Sequence, residues 1–247
     1  MNDWVKAKVV GRRQWTDGLY SLQLDGLIND FQAGQFIKVA LDIGGERVGR
    51  PYSLVNPPHE RPLEIHFNEV DNGSLTSTLS SLKPGDDVWV TTNANGIFTL
   101  ETVEPAETLW LLGTGTGLGV YLSILRTDAP WTRFPRVILV HGVRQAADLT
   151  YGDIIADIGR RYSDRFSVVA AVSRERHPGA LPGRITDLLT SGELESRVGA
   201  TIDPATSHVM LCGNSAMIKD VKAILEARGL ARHRRNAPGH YTTEQYH

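Results

Sequence analysis

The chain has a single cysteine, Cys212, in 247 residues. It can form no intramolecular disulfide, and it cannot ligate a four-thiolate iron–sulfur cluster, so any such cluster must sit on another protein. No apolar run of about eighteen residues occurs, which excludes a membrane-spanning helix. The opening MNDWVKAKVV is charged and alternating, and it lacks the apolar centre of a signal peptide. An excess of either charge is missing too. The net charge is −2 and the pI is near 6.4, so nothing in the overall electrostatics favours a nucleic acid or a membrane as partner. The basic cluster is Arg232, His233, Arg234 and Arg235. No Ser-His-Asp nucleophilic set is recognisable, and Ser53, His141 and Asp148 read as groups with local roles. His233, His240 and His247 have no spacing that supports a metal. A cytoplasmic protein is the expectation.

What the chain does have is organised around Leu109 to Leu125, LWLLGTGTGLGVYLSIL. A short apolar strand (Leu109, Trp110, Leu111, Leu112) passes through glycines at 113, 115, 117 and 119 and resumes with the helical spacing Leu118, Tyr121, Leu122, Leu125. Strand, glycine loop and helix together let a phosphate reach the backbone and meet a helix N-terminus. The spacing is neither G-x-G-x-x-G nor the P-loop pattern, and no lysine follows. A turn that serves tight packing alone has the same glycines.

Residues 5 to 92 read as short alternating strands at 5–10, 19–24, 36–41, 63–67 and 88–92. Turn residues separate them: Asp17-Gly18, Gly44-Gly45, Asp71-Asn72-Gly73 and Pro84-Gly85-Asp86. An antiparallel β-barrel or sandwich is expected. One helix interrupts it, Ser74 to Leu82, with Leu75, Leu79 and Leu82 on one face and Ser74 or Thr76 as its cap. Periodicity lapses over 93–107, the expected domain connection.

From Leu109 the period changes. Strands at 109–112, 137–140, 166–172 and 208–211 alternate with helical patterns at 117–125, 148–162, 185–198 and 216–228, which calls for an α/β domain with a parallel sheet. Ligands of such sheets bind beyond the carboxyl ends of the strands. After the second strand comes His141-Gly142-Val143-Arg144, and after the third Ser173-Arg174-Glu175. An arginine after the second strand suits a 2′-phosphate where an acid would suit a free ribose. With Arg174 and Arg184, a cationic pocket selecting NADP over NAD is one reading; three solvated arginines is the other. After the fourth strand stands Cys212-Gly213-Asn214, either an inert core thiol or part of the ligand edge, and in neither case a nucleophile.

These motifs, taken in order, resemble the ferredoxin–NADP reductases, specifically the bacterial ferredoxin (flavodoxin)–NADP reductases. The resemblance rests on Gly34-Gln35-Phe36, Arg50 to Asn56 (RPYSLVN), Gly73-Ser74-Leu75-Thr76, the loop 113–119, His141 to Arg144, Val172 to Glu175, Cys212-Gly213-Asn214 and Glu244-Gln245-Tyr246, and it spans nearly the whole chain. It implies a ferredoxin reductase-like fold, with an antiparallel FAD-binding β-barrel at residues 1–100 and an NADP-binding α/β domain at 101–247 whose tail returns to the flavin. By this resemblance Arg50 and the backbone of Ser74, Leu75 and Thr76 would hold the FAD pyrophosphate. Pro51 would lie between them and Tyr52, whose ring would rest on the isoalloxazine, with the Ser53 hydroxyl near the flavin N5. Phe67, Asn68 and Glu69 would line the ribityl and adenosine side, and Thr116, Tyr246 and His247 would also touch FAD. Gly115, Val143, Arg144, Ser173, Arg174, Arg184, Cys212, Gly213 and Asn214 would bind NADP(H). Ser53, Cys212, Glu244 and Tyr246 would be the catalytic set, with Tyr246 stacked where the nicotinamide must sit.

The implied activity is hydride transfer from NADPH to FAD, with single electrons passed reversibly to ferredoxin or flavodoxin by a monomer. A flavin reductase, an oxygenase reductase component, or a flavin-binding electron-transfer module without turnover are the alternatives. Three positions depart from the family pattern: Pro51 where a small residue such as Ala is common, Val120 in place of proline, and His247 where close relatives end in tryptophan. The last leaves the hold on adenine open, because a smaller ring offers less stacking area. A tail that simply frays is the bland alternative for Tyr246 and His247.

Overall fold

Alternation in the first third of the sequence does produce half-buried strands. The computed structural model describes residues 3–70, 73–234 and 236–246; Asp71 and Asn72 of the expected turn, Arg235 of the basic cluster and the adenine-side His247 lie outside them. Six strands, β1 (Trp4–Thr16), β2 (Leu19–Asp25), β3 (Phe36–Ile43), β4 (Glu46–Ser53), β5 (Leu63–Asn68) and β6 (Asp87–Thr91), form one antiparallel sheet in the order β4-β3-β6-β1-β2-β5. The bridge Leu54↔Ile65 and the bond from Val55 N–H to the Glu64 carbonyl (2.9 Å) join its two ends, so the sheet closes into a barrel. Inside are Leu22, Leu24, Ile37, Val39, Leu63, Ile65 and Val90, all fully buried. Each such aliphatic side chain contributes about 1.5–3 kcal/mol of burial free energy.

Two features here differ from the sequence reading. Strand β4, sequence ERVGRPYS, has too little apolar alternation to be read as a strand, yet it pairs with β3 from Ile43↔Glu46 to Phe36↔Ser53. Pro51 is tolerated because β4 is the last strand in the sheet order and among the described residues pairs along its length with β3, and Gly49 leaves room for the Trp4 ring, which a Cβ would meet at 3.0 Å. Helix α1 (Ser74–Ser81) is present, but neither Ser74 nor Thr76 caps it. Gly73 is the N-cap and makes no side-chain bond; Thr76 Oγ1 instead accepts from Val70 N–H (3.0 Å) and donates to the Gly73 carbonyl (3.3 Å).

The second sheet is parallel: β7 (Thr108–Thr114), β8 (Arg136–Val143), β9 (Phe166–Val172), β10 (Leu181–Pro182), β11 (Ser207–Asn214) and β12 (Tyr241–Tyr246), in the order β10-β9-β8-β7-β11-β12. A 3-10 turn, Gly115–Gly117, leads to α2 (Leu118–Leu125); α3 (Ala129–Arg133), α4 (Gly152–Arg161), α5 (Ile185–Ser191), α6 (Glu193–Val198) and α7 (Ser215–Ala227) follow. The pattern expected as one helix over 185–198 is two, because Gly192 adopts φ +78° and ends the first. The pattern over 148–162 begins as a 3-10 turn, Ala146–Asp148, before α4. Strand β12 was not legible: YTTEQY is polar, and only pairing with β11 from Val209↔Tyr241 to Asn214↔Tyr246 makes it a strand. One core packs on this sheet, with Trp110, Ile138, Val140, Val209 and Leu211 against Ile185, Leu189, Ile218 and Val221.

The chain divides into two units that are not consecutive in sequence: residues 1–99 with 119–126, and residues 100–118 with 127–247. Nearly all of α2 belongs to the barrel unit. Its residues are buried on every side, with Ser123 Oγ donating to the Asn56 carbonyl (2.9 Å), Arg126 paired with Glu60, and Tyr121 beside Phe98 at 6.1 Å between ring centroids.

Candidate functional site

In the barrel unit the residues of RPYS lie on β4 beside β3, and α1 packs on the same β3. Arg50 is exposed; its Nη1 donates to the Gly49 carbonyl (2.9 Å), and among the described residues it has no acidic partner. The first turn of α1 holds no acidic residue and no side-chain cap. N–H groups at a helix start that no described residue accepts from, together with a guanidinium that no described acid pairs with, are a donor set for a pyrophosphate, so these residues fit FAD. Leu75 is buried in the barrel core, which leaves its backbone N–H as the group it can offer. The Tyr52 ring meets Phe67 edge-on at 5.9 Å, and Phe67 stacks on Tyr20 at the same distance. Burial pushes the Tyr52 phenol up to about 12, against the pull of Arg50, so it stays protonated. Ser53 is buried, Pro51 and Asn68 are exposed, and Glu69 is half-buried.

In the second unit the carboxyl ends of β7, β8, β9 and β11 carry the residues singled out by sequence. The glycines there permit backbone contact. A Cβ on Gly117 would lie 2.8 Å from the Cys212 carbonyl oxygen, and one on Gly213, whose φ is +129°, would lie 2.2 Å from Thr114 Oγ1. Thr114 Oγ1 accepts from Asn214 N–H (3.0 Å), locking the end of β11 to that of β7. Asn214 Oδ1 is occupied as the α7 cap, accepting from Ala216 and Met217 N–H. His141, buried at the end of β8, has Nε2 3.0 Å from the Gly115 carbonyl. Burial pushes its pKa down to about 4 despite this bond and the Asp148 charge, so it serves the loop as a neutral donor. The sequence signal for this was only His141's position after an apolar strand.

Pairing of β12 with β11 sets Glu244 opposite Cys212 and Tyr246 opposite Asn214. Burial pushes the Cys212 thiol well up, Glu244 adds to this, and a hydrogen bond with Tyr246 opposes it. A thiol held protonated is no nucleophile. Arg144, Arg174 and Arg184 are exposed, and no guanidinium of the three has a partner among the described residues. Arg174 N–H donates to the Arg144 carbonyl (2.9 Å), which sets two of them side by side. Val143 is buried, and Ser173 N–H and Oγ both donate to its carbonyl (3.1 and 3.2 Å). Gly115 and Thr116 are half-buried in the 3-10 turn. Among the described residues no group of His, Cys, Asp or Glu is arranged to hold a metal, and no helix is long and apolar enough to cross a membrane.

Such a barrel followed by such a parallel sheet defines a two-domain nucleotide-binding oxidoreductase. The oxidoreductase FAD-binding domain family matches residues 15–98, and the oxidoreductase NAD-binding domain family matches residues 111–223. The flavodoxin/ferredoxin–NADP reductases of Escherichia coli (strain K12) and Shigella flexneri are each 46% identical over 247 residues, covering all of both chains. The crystal structure of a ferredoxin NADP+ reductase from Neisseria gonorrhoeae with bound FAD and NADP is similar with TM-score 0.92 and 27% identity, covering 98% of each chain. The chain belongs to the flavodoxin/ferredoxin–NADP reductase family.

Proposed function

We propose that this protein is an FAD-dependent oxidoreductase that moves electrons between NADPH and ferredoxin or flavodoxin. The observation that carries this is the 46% identity, over the full length of both chains, to reductases of that name. FAD, when bound, supplies exchange between a two-electron hydride donor and one-electron carriers. The chain's own residues bind and orient. In this reading residues 1–100 bind FAD: Arg50 and the first turn of α1 hold the pyrophosphate, Tyr52 and Ser53 face the flavin, and Phe67, Asn68 and Glu69 line the rest of the cofactor. Residues 101–247 bind NADP(H): Arg144, Arg174 and Arg184 hold the 2′-phosphate, and Cys212, Gly213, Glu244 and Tyr246 orient the nicotinamide. The protonated Cys212 thiol and the Glu244 carboxylate position the ring and take no part as nucleophiles. A cytoplasmic location belongs to the same proposal, supported by a lone, buried, unpaired cysteine.

Replacing Arg144 or Arg174 with Ala is expected to weaken NADPH by about 1.5–3 kcal/mol, roughly tenfold to a hundredfold in KM, with NADH kinetics little changed. Steady-state rates with both cofactors decide it, and equal losses for NADPH and NADH would overturn the assignment. Arg50→Ala is expected to cost about as much in FAD affinity, because it removes one charge-assisted contact to the pyrophosphate. Flavin absorbance per chain after desalting should fall clearly below that of the parent; full retention would remove Arg50 from the site.

A further inference from the structure

Past the end of the second sheet, the chains leaving β8 and β9 stay laced together. Ser173 N–H donates to the Val143 carbonyl (3.1 Å) and Arg174 N–H to the Arg144 carbonyl (2.9 Å). Backbone pairing stops there, because residues 146–148 turn away into a 3-10 helix. A side chain takes over: Glu175 Oε1 accepts from Ala146 N–H at 2.6 Å, a short bond to a charged acceptor. Gln145 N–H is held by Asp148 Oδ2 (3.2 Å). Two consecutive amides after Arg144 are therefore fixed, one within its own turn and one from across. Although next to Arg174 in sequence and bonded to the Arg144 segment, Glu175 forms no ion pair with either arginine among the described residues. Its charge is used on the backbone, and the guanidiniums are left for an anion.

We propose that Glu175 is a positioning residue for dinucleotide specificity: it clamps the Arg144 segment to the Arg174 segment so that both guanidiniums present to one 2′-phosphate. This rests on the reading that Arg144 and Arg174 hold that phosphate. Charge alone works in the opposite direction, since a carboxylate beside a phosphate site repels the ligand. A clamp and a mere charge therefore predict opposite signs when the whole carboxylate is removed, as in Glu175→Ala.

The test uses the FAD-loaded protein with Glu175→Ala, Glu175→Gln and, in parallel, Arg144→Ala. For each, kcat/KM with NADPH and with NADH is measured, together with competitive inhibition by 2′-phospho-AMP and by 5′-AMP. Glu175→Ala is expected to lower the NADPH-to-NADH ratio and the 2′-phospho-AMP affinity about tenfold, with 5′-AMP inhibition unchanged. Glu175→Gln, whose amide oxygen accepts the same N–H, should stay within about threefold of the parent. The inference is overturned if Glu175→Ala matches the parent or binds 2′-phospho-AMP more tightly, if 5′-AMP weakens equally, or if Gln fails as Ala does. If Arg144→Ala leaves the ratio unchanged, the arginine reading fails and this inference with it. If Arg144→Ala collapses the ratio while Glu175→Ala does not, only the clamp fails.

Discussion

Between pH 7.5 and pH 5 the protein is expected to lose about 4 kcal/mol of folding stability through two buried histidines, about 2 from each. His141 is held down to about 4 by burial, and His208 to about 3 by burial and by the neighbouring His233, His240 and Arg133. In the unfolded chain both take up a proton near pH 6.5, while in the fold they stay neutral, so the unfolded state binds more protons as pH falls. The stability they contribute is complete above about pH 6.5, declines below it, and reaches its floor only under the folded values. His208 is 2% exposed and its Nε2 has no partner among the described residues, so a backbone bond with Gly239 is what favours a charged ring there, and burial outweighs it. His233 and His240 already use Nδ1 to accept backbone N–H groups of Gly239 and Ala231. Urea midpoints across this pH range measure the effect, and His208→Gln with His141→Gln should flatten the curve. An imidazole NMR titration of the parent gives a second reading: either ring charging near pH 6.5 would contradict this account.

Gly213→Ala is expected to cost about 3 kcal/mol or more, through backbone strain and overpacking together. The residue sits at φ +129°, and a Cβ there would be 2.2 Å from Thr114 Oγ1, 2.8 Å from Thr114 O and 3.0 Å from Thr114 N. Thr114 cannot give way cheaply, since two of those atoms are backbone and the third accepts the Asn214 N–H. Relief would have to come from separating the ends of β7 and β11, where the dinucleotide is proposed to bind. The urea midpoint should fall, and the NADPH KM of any folded fraction should rise about tenfold while flavin per chain holds steady. An unchanged midpoint would show that the two strand ends are not locked together as described.

The candidate residues were readable where a residue type stands out from its neighbours. Arg144 and Arg174 stand out as arginines after apolar strands, and Cys212-Gly213-Asn214 as small and polar residues at a strand end. What could not be read is who fixes whom. Glu175 looks like any surface acid until its bond to Ala146 is seen, and His141 like a core histidine until Gly115 is found beside it. Asn214 reads as a ligand contact, and that its side-chain oxygen also caps α7 is not visible in the sequence. The expected caps of α1 failed for a related reason: Thr76 finds a closer donor in Val70, which leaves the helix start open.

By itself the sequence determined the two architectures and their order, because burial on one face of a strand or helix leaves a period that needs no partner to be visible. It also marked the glycines of the loop 113–119 and the arginines Arg144 and Arg174 that follow β8 and β9. Tertiary structure alone decided that ERVGRPYS and YTTEQY become strands, since a polar segment joins a sheet only when a neighbour supplies the hydrogen bonds. Only the tertiary structure assigned Gly119–Arg126 to the barrel unit: a helix apolar on every side carries no mark of which core will take it. Periodicity records that a residue is buried; which residues bury it is a property of the folded chain.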